Sequence, residues 1–219
     1  MRNIPVWLSL AAALLVSGCA TDTATTPPPA PMATTMTALP ATETGVPEYK
    51  VGDRWEYSDG YGLEVTKVEA GGWTTMNHLD KSTVLSNDWI QRRGIFTENR
   101  KTGNEMRQVV FRSRFPEQDL FPLAIGKQSR YKREYLVNGK DLREHQTSWK
   151  VVGRDTIEVP AGKFEVWILD YETQSITTDW YGRERWYYSP QVKNYVRMEY
   201  QYGKAPPSSR VLMSHKVAP

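Results

Sequence analysis

From about Tyr49 to the C-terminus, apolar and polar residues alternate with a period of two. Trp149 and Val151 share a face with His145, and Gln146 and Lys150 oppose them. Val196, Met198, Tyr200 and Tyr202 alternate with Arg197, Glu199 and Gln201, and Val109 and Phe111 alternate with Gln108 and Arg112. Successive side chains of a strand point to opposite faces of its sheet, so each run reads as a half-buried strand. Phe164–Glu172 departs from this pattern. Phe164, Val166 and Ile168 lie on one face and Trp167, Leu169 and Tyr171 on the other, so both faces of this strand are expected to be covered.

Turn residues punctuate the runs. Asp59-Gly60 and Gly71-Gly72 break the first part. Asn138-Gly139 joins Tyr131–Val137 to Arg143–Val152 and supplies the two residues tolerant of positive φ that a tight hairpin requires. Pro160-Ala161-Gly162 separates Asp155–Val159 from Phe164–Glu172, and Ser189-Pro190 separates Arg183–Tyr188 from Val196–Tyr202. No stretch carries a helical period of useful length, although one short helical turn is expected within Pro116–Ile125. About ten strands at hairpin spacing predict an all-β domain. Its expected form is an antiparallel meander curled into a barrel or strongly bent sheet, lipocalin-like or half-barrel, with a two-sheet β-sandwich as the alternative.

The N-terminus follows other rules. Arg2 and the free amine precede a 13-residue run, Ile4–Val16, that is apolar except for Ser9. A spanning helix needs about 20 residues, so this is a targeting segment rather than a membrane span. Val16-Ser17-Gly18-Cys19 then resembles the bacterial lipoprotein signal: an aliphatic residue, two small residues and a cysteine. The resemblance implies cleavage before Cys19, a diacylglycerol on its sulfur and a third acyl chain, of the palmitate type, on its freed amine. Several acyl chains exceed what stable membrane anchoring needs. Ala20 stands where Asp would mark retention at the inner membrane, so the resemblance implies the outer membrane, with the protein facing the periplasm.

Composition shifts after the cysteine. In residues 20–46, Thr, Ala and Pro fill 20 of 27 positions, and Pro27-Pro28-Pro29 with Pro31 favours polyproline II. Such a segment buries too little apolar surface to offset its ordering entropy, which makes it a tether. The expected organisation is a signal peptide over 1–18, a lipidated Cys19 with a disordered tether over 19–46, and one β domain over 47–219.

Charge and candidate chemistry mostly exclude. The 28 basic and 25 acidic residues leave a net charge of +3, too weak and too mixed for a nucleic-acid binder. Cys19 is the only cysteine, so the folded part has no thiol for a disulfide, zinc cluster or Cys–His pair. His78, His145 and His215 are widely spaced, and His78-Leu79-Asp80 alone makes no metal site. Gly-x-Ser-x-Gly and Gly-Lys-Ser/Thr are absent, and no motif asks for a cofactor. Asp170 and Glu172 share a strand face as paired acids would, but a solvated strand end is the simpler reading. Arg92-Arg93, Arg100-Lys101 and Arg130 with Lys132-Arg133 are interspersed with acids and read as solvated faces. No catalytic residue is assigned.

Aromatics are the unusual feature. Seven of the eight tryptophans fall between Trp55 and Trp186, and Trp180-Tyr181 and Trp186-Tyr187-Tyr188 crowd one hairpin. Most are expected to fill the core. Alternation puts Trp186 inward and Tyr187 outward beside Arg185, with Trp180 and Tyr181 at a bend before Gly182. Trp180, Tyr181 and Tyr187 are therefore the candidate ligand contacts.

Three motifs complete the picture: Phe121-Pro122-Leu123-Ala124-Ile125-Gly126-Lys127, Val159-Pro160-Ala161-Gly162-Lys163-Phe164 and Trp186-Tyr187-Tyr188-Ser189-Pro190-Gln191-Val192. Their order over residues 49–202 resembles uncharacterised envelope protein families of antiparallel β-structure, many of them lipoproteins. The resemblance implies a fold and an envelope address and no activity. The leading expectation is a non-catalytic, lipid-anchored domain that binds a partner protein or an apolar or glycan envelope ligand. The alternatives are an envelope hydrolase with a spatially assembled site and a lipid or lipoprotein carrier with an apolar cavity.

Overall fold

The computed structural model describes residues 47–69, 72–81, 83–86, 96–114 and 120–218. Residues 1–46, which carry the expected signal, Cys19 and the tether, lie outside that set. The described residues hold twelve strands: β1 (Arg54–Tyr57), β2 (Gly62–Glu69), β3 (Gly72–Asn77), β4 (Thr83–Ser86), β5 (Phe96–Thr102), β6 (Glu105–Arg114), β7 (Gln128–Val137), β8 (Lys140–Val159), β9 (Gly162–Ser175), β10 (Tyr181–Ser189), β11 (Asn194–Tyr202) and β12 (Ser208–Lys216). Each pairs antiparallel with its neighbours in the chain, and β1 pairs with both β2 and β12. The result is one strongly curled antiparallel sheet, as the alternation predicts, and not the two-sheet sandwich.

Turns fall where their residues demand. Val137 pairs with Lys140 across Asn138 (φ 50°) and Gly139 (φ 73°), the two positive values of a tight hairpin. One boundary differs from expectation. Arg143–Val152 and Asp155–Val159 are not separate strands but parts of the 20-residue β8. Val151 pairs with Leu169 and Gly153 with Ile168, so Val152 is an extra residue that the ladder absorbs as a bulge. The helical turn expected near Pro116–Ile125 is also absent from its described part. Leu120, Phe121 and Leu123 instead run irregularly and bury their side chains.

Two apolar clusters fill the interior. One gathers Leu120, Tyr131, Trp149, Val151, Trp167 and Leu169; the other gathers Trp55, Val65, Phe164, Val166, Val196 and Leu212. β9 serves both, Trp167, Leu169 and Tyr171 facing the first and Phe164 and Val166 the second, which is why both its faces are apolar. Beyond the bulge, the β8–β9 hairpin reaches β12. Ala161 N–H donates to the Leu212 carbonyl at 3.2 Å, and the Phe164 ring meets His215 edge-on at 5.7 Å. Trp186 is half-buried and touches both clusters, stacked edge-on with Trp149 at 5.1 Å and Tyr195 at 4.8 Å.

Where the chain enters the sheet, Asp53 ties three segments together at 1% exposure. Its carboxylate accepts from Ala218 N–H at 2.8 Å and Lys50 N–H at 2.9 Å and lies 3.6 Å from Lys193 Nζ. Lys193 also donates to the Ala218 carbonyl, and Trp55 Nε1–H donates to the Val192 carbonyl at 2.7 Å. The start of the domain, its C-terminus and the β10–β11 turn are thus fastened by one buried carboxylate. Asp53→Ala leaves buried donors and a cation uncompensated and is expected to cost about 2–4 kcal/mol in urea unfolding. A loss under about 1 kcal/mol would show that the ends are held by packing alone.

Candidate functional site

The inward face of β7–β10 is polar towards one end. His145, Thr147, Thr173 and Ser175 are all buried. Thr173 Oγ1 lies 3.0 Å from Thr147 Oγ1 and 3.4 Å from His145 Nδ1, and Arg133 donates to it at 3.1 Å. Burial lowers the His145 pKa to about 4, helped by the Arg133 and Arg143 charges. Beside this network, Glu184 accepts from Trp186 Nε1–H at 2.6 Å and from the Tyr202 hydroxyl at 2.5 Å. Burial pushes the Glu184 pKa up, and the two donors partly offset it. Most of these groups find partners within the network, and Ser175 Oγ accepts from Thr178 N–H at 3.1 Å, whereas Arg133 Nε is buried with no hydrogen-bond partner among the described residues.

The structure separates the three aromatic candidates. Trp180 and Tyr181 are neighbours in sequence, so alternation sends them to opposite faces. Trp180 lies on the side of His145, ring to ring at 5.0 Å, and is 36% exposed. It rests against two glycines: a Cβ on Gly182 would come within 3.3 Å of its ring, and so would one on Gly203. Tyr181 and Tyr187 share the outer face of β10. Arg183 lies over the Tyr181 ring and Arg197 over the Tyr187 ring, and the Tyr187 hydroxyl donates to Glu199 at 3.3 Å. The three candidates thus divide into one tryptophan at the rim and two tyrosines on the outer face. Cys19 lies outside the described residues.

The outer face brings together residues that the sequence left scattered. Cross-strand register aligns Arg130, Ser148, Glu172, Arg183 and Gln201 in one row over β7–β11. On one side of it runs Lys132, Gln146, Gln174 and Tyr181; on the other, Lys150, Asp170, Arg185 and Glu199. Two depressions lie between these rows. One of about 500 Å³ is bordered by Arg130, Gln146, Gln174 and Tyr181, and one of about 280 Å³ by Asp170, Arg185, Glu199 and Pro207; both include Glu172 and Arg183. Asp170 and Glu172 each face an arginine. Arg185 holds Asp170 through two hydrogen bonds, at 2.7 and 2.9 Å, and Arg183 stands 3.9 Å from Glu172. The polar alternation of 146/148, 172/174 and 181/183 was visible in sequence, but the register that aligns them was not.

His78 pairs with neither Asp80 nor a metal-type cluster. Its ring lies between Glu56, 2.8 Å from Nδ1, and Glu64, 3.0 Å from Nε2, on opposite sides of the imidazole. Among the described residues no group of three acids, histidines or cysteines is arranged to hold a metal ion.

Two outcomes follow from this geometry. Trp186→Ala is expected to cost about 3–5 kcal/mol and Trp180→Ala only about 1–2 kcal/mol by urea unfolding, because one face of Trp180 is already in water; equal losses would make both plain core. His145 has a folded pKa of about 4 against 6.5 for the free side chain. The unfolded chain therefore binds more protons between those values, and the stability that neutral His145 supplies is complete above pH 6.5 and declines as the pH falls toward 4. The stability gap between wild type and His145→Gln should narrow over that window, and a constant gap would contradict the assignment.

No protein-family model matches the chain, and no curated protein matches it. Among solved structures it is similar to the hypothetical lipoprotein YmcC from Escherichia coli, at 9% identity and a TM-score of 0.46, over 77% of this chain and 85% of that one. It is also similar to a candidate exported protein with a YmcC-like fold from Bacteroides fragilis, at 14% identity and a TM-score of 0.41, over 79% and 99% of the two chains. A candidate lipoprotein from Parabacteroides distasonis aligns at 19% identity and a TM-score of 0.39, again over 79% and 99%.

Proposed function

We propose that this chain is a lipid-anchored protein of the bacterial cell envelope whose curled sheet is a non-catalytic binding domain. The lipobox Val16-Ser17-Gly18-Cys19 supports acylation of Cys19, and Ala20 supports the outer membrane, with the domain facing the periplasm on its tether. The observation that carries the binding role is the pair of outer depressions, of about 500 and 280 Å³, which share Glu172 and Arg183. The larger has the size of a ligand site.

The other readings have less support. A hydrolase needs acids or histidines converging on one point, whereas Asp170 is clamped by Arg185 and His145, His78 and His215 lie in separate environments. A carrier needs an empty apolar interior, whereas the two apolar clusters are packed with rings.

Photo-crosslinking in living cells tests the site and the anchor together. Lys132→p-benzoylphenylalanine, beside Gln146 at the edge of the larger depression, is expected to form a discrete adduct that Glu158→p-benzoylphenylalanine, exposed elsewhere on β8, does not form. Cys19→Ser is expected to move the protein out of the membrane fraction. Adducts at neither or at both positions would remove the groove as the site. Membrane retention of Cys19→Ser, with no acyl mass on the wild type, would remove the anchor.

A further inference from the structure

The geometry points to an uncharged, polyhydroxylated chain, a glycan strand, as the occupant of the outer groove; this rests on the reading of that groove as the ligand site. Charge is the first reason. The outward-facing charges that line it are Arg130, Arg183 and Arg185 against Asp170, Glu172 and Glu199, three against three; Glu184 borders it from the inner face, and Lys132 and Lys150 stand on the flanking rows outside its lining. The lining charges alternate across the strands, and Asp170 is already engaged by Arg185. A lining of this kind holds no cluster of uncompensated arginines for a phosphate backbone or a polyanion.

Hydrogen-bonding character is the second reason. Gln146, Gln174 and Gln201 carry amides that both donate and accept, and Ser148 adds a hydroxyl. Sugar hydroxyls also do both, so they match a surface that mixes donors and acceptors along its length. The apolar lining comes as separate rings at Tyr171, Tyr181, Tyr200 and Pro207, broken by amides, hydroxyls and charges, so an acyl chain finds no continuous apolar trough. The Tyr181 ring, capped on one side by Arg183 at 5.5 Å, offers the flat surface on which the C–H face of a pyranose stacks.

Shape is the third reason. The groove crosses strands rather than following one, from Arg130 on β7 to Ser208 at the start of β12. Those five interstrand steps of about 4.8 Å amount to roughly 24 Å, long enough for several pyranose rings in line. A peptide added as a strand would need an unpaired sheet edge, and each of β7 to β12 is paired on both sides.

The test is isothermal titration calorimetry on the full lipidated chain in nanodiscs, with empty nanodiscs as the blank. The probes are cellotetraose, maltotetraose and chitotetraose as neutral chains, tetragalacturonate as a polyanion and myristate as an acyl chain. At least one neutral tetrasaccharide is expected to bind, with an affinity unchanged by added salt because the ligand carries no charge to screen. Gln174→Ala and Tyr181→Ala are each expected to weaken it by about tenfold or more, and Tyr187→Ala, off the groove, by less than about twofold. Gln174 is exposed, so its variant keeps the test decisive if Tyr181→Ala fails to fold. Stronger binding of tetragalacturonate or myristate, binding indifferent to Gln174→Ala, or no binding of any neutral chain would overturn the glycan assignment. A crosslinked adduct at position 132 without tetrasaccharide binding would sink the ligand class alone, and absence of the adduct would remove the site itself.

Discussion

One extra residue in β8 organises the rest of the structure. Strand alternation would hold every second side chain of a 20-residue strand on one face, and no single core is that long. The bulge at Val152 releases the register between Val151 and Gly153. Before it, His145, Thr147, Trp149 and Val151 face the interior. After it, Ile157 and Val159 join the cluster that includes Trp55 and Leu212. β9 needs no bulge of its own because its two apolar faces suit the two clusters in turn. The same register fixes the opposite faces, and so places Gln146, Ser148, Glu172 and Gln174 side by side in water.

Burial is divided unequally between the two sides of the sheet. The interior is apolar where the two clusters meet at Trp186, and it turns polar towards His145 and Glu184. Buried polar groups are costly unless paired, and here the threonines, Tyr202 and Trp186 supply the partners. On the outer wall, acids and arginines face one another across strands, and such exposed pairs contribute little stability. Their arrangement matters more for what the surface can accept. The outward-facing charges that line the two depressions are balanced and stand among amides, which leaves hydrogen-bond matching to decide.

The alternating sequence by itself determined the all-β class, the antiparallel order, the Asn138-Gly139 hairpin and the two-faced character of Phe164–Glu172. These depend on local geometry, since period, turn chemistry and chain proximity are all read within one hairpin. The lipoprotein-type signal is equally local, because a short linear segment carries it. Tertiary structure alone decided what crosses strands: the union of two apparent strands into β8, the parting of Trp180 from Tyr181 and Tyr187, the clamping of Asp170 by Arg185, and the alignment of Arg130, Ser148, Glu172, Arg183 and Gln201. Each depends on register between segments far apart in the chain, and a shift of one residue would send every such side chain to the other face.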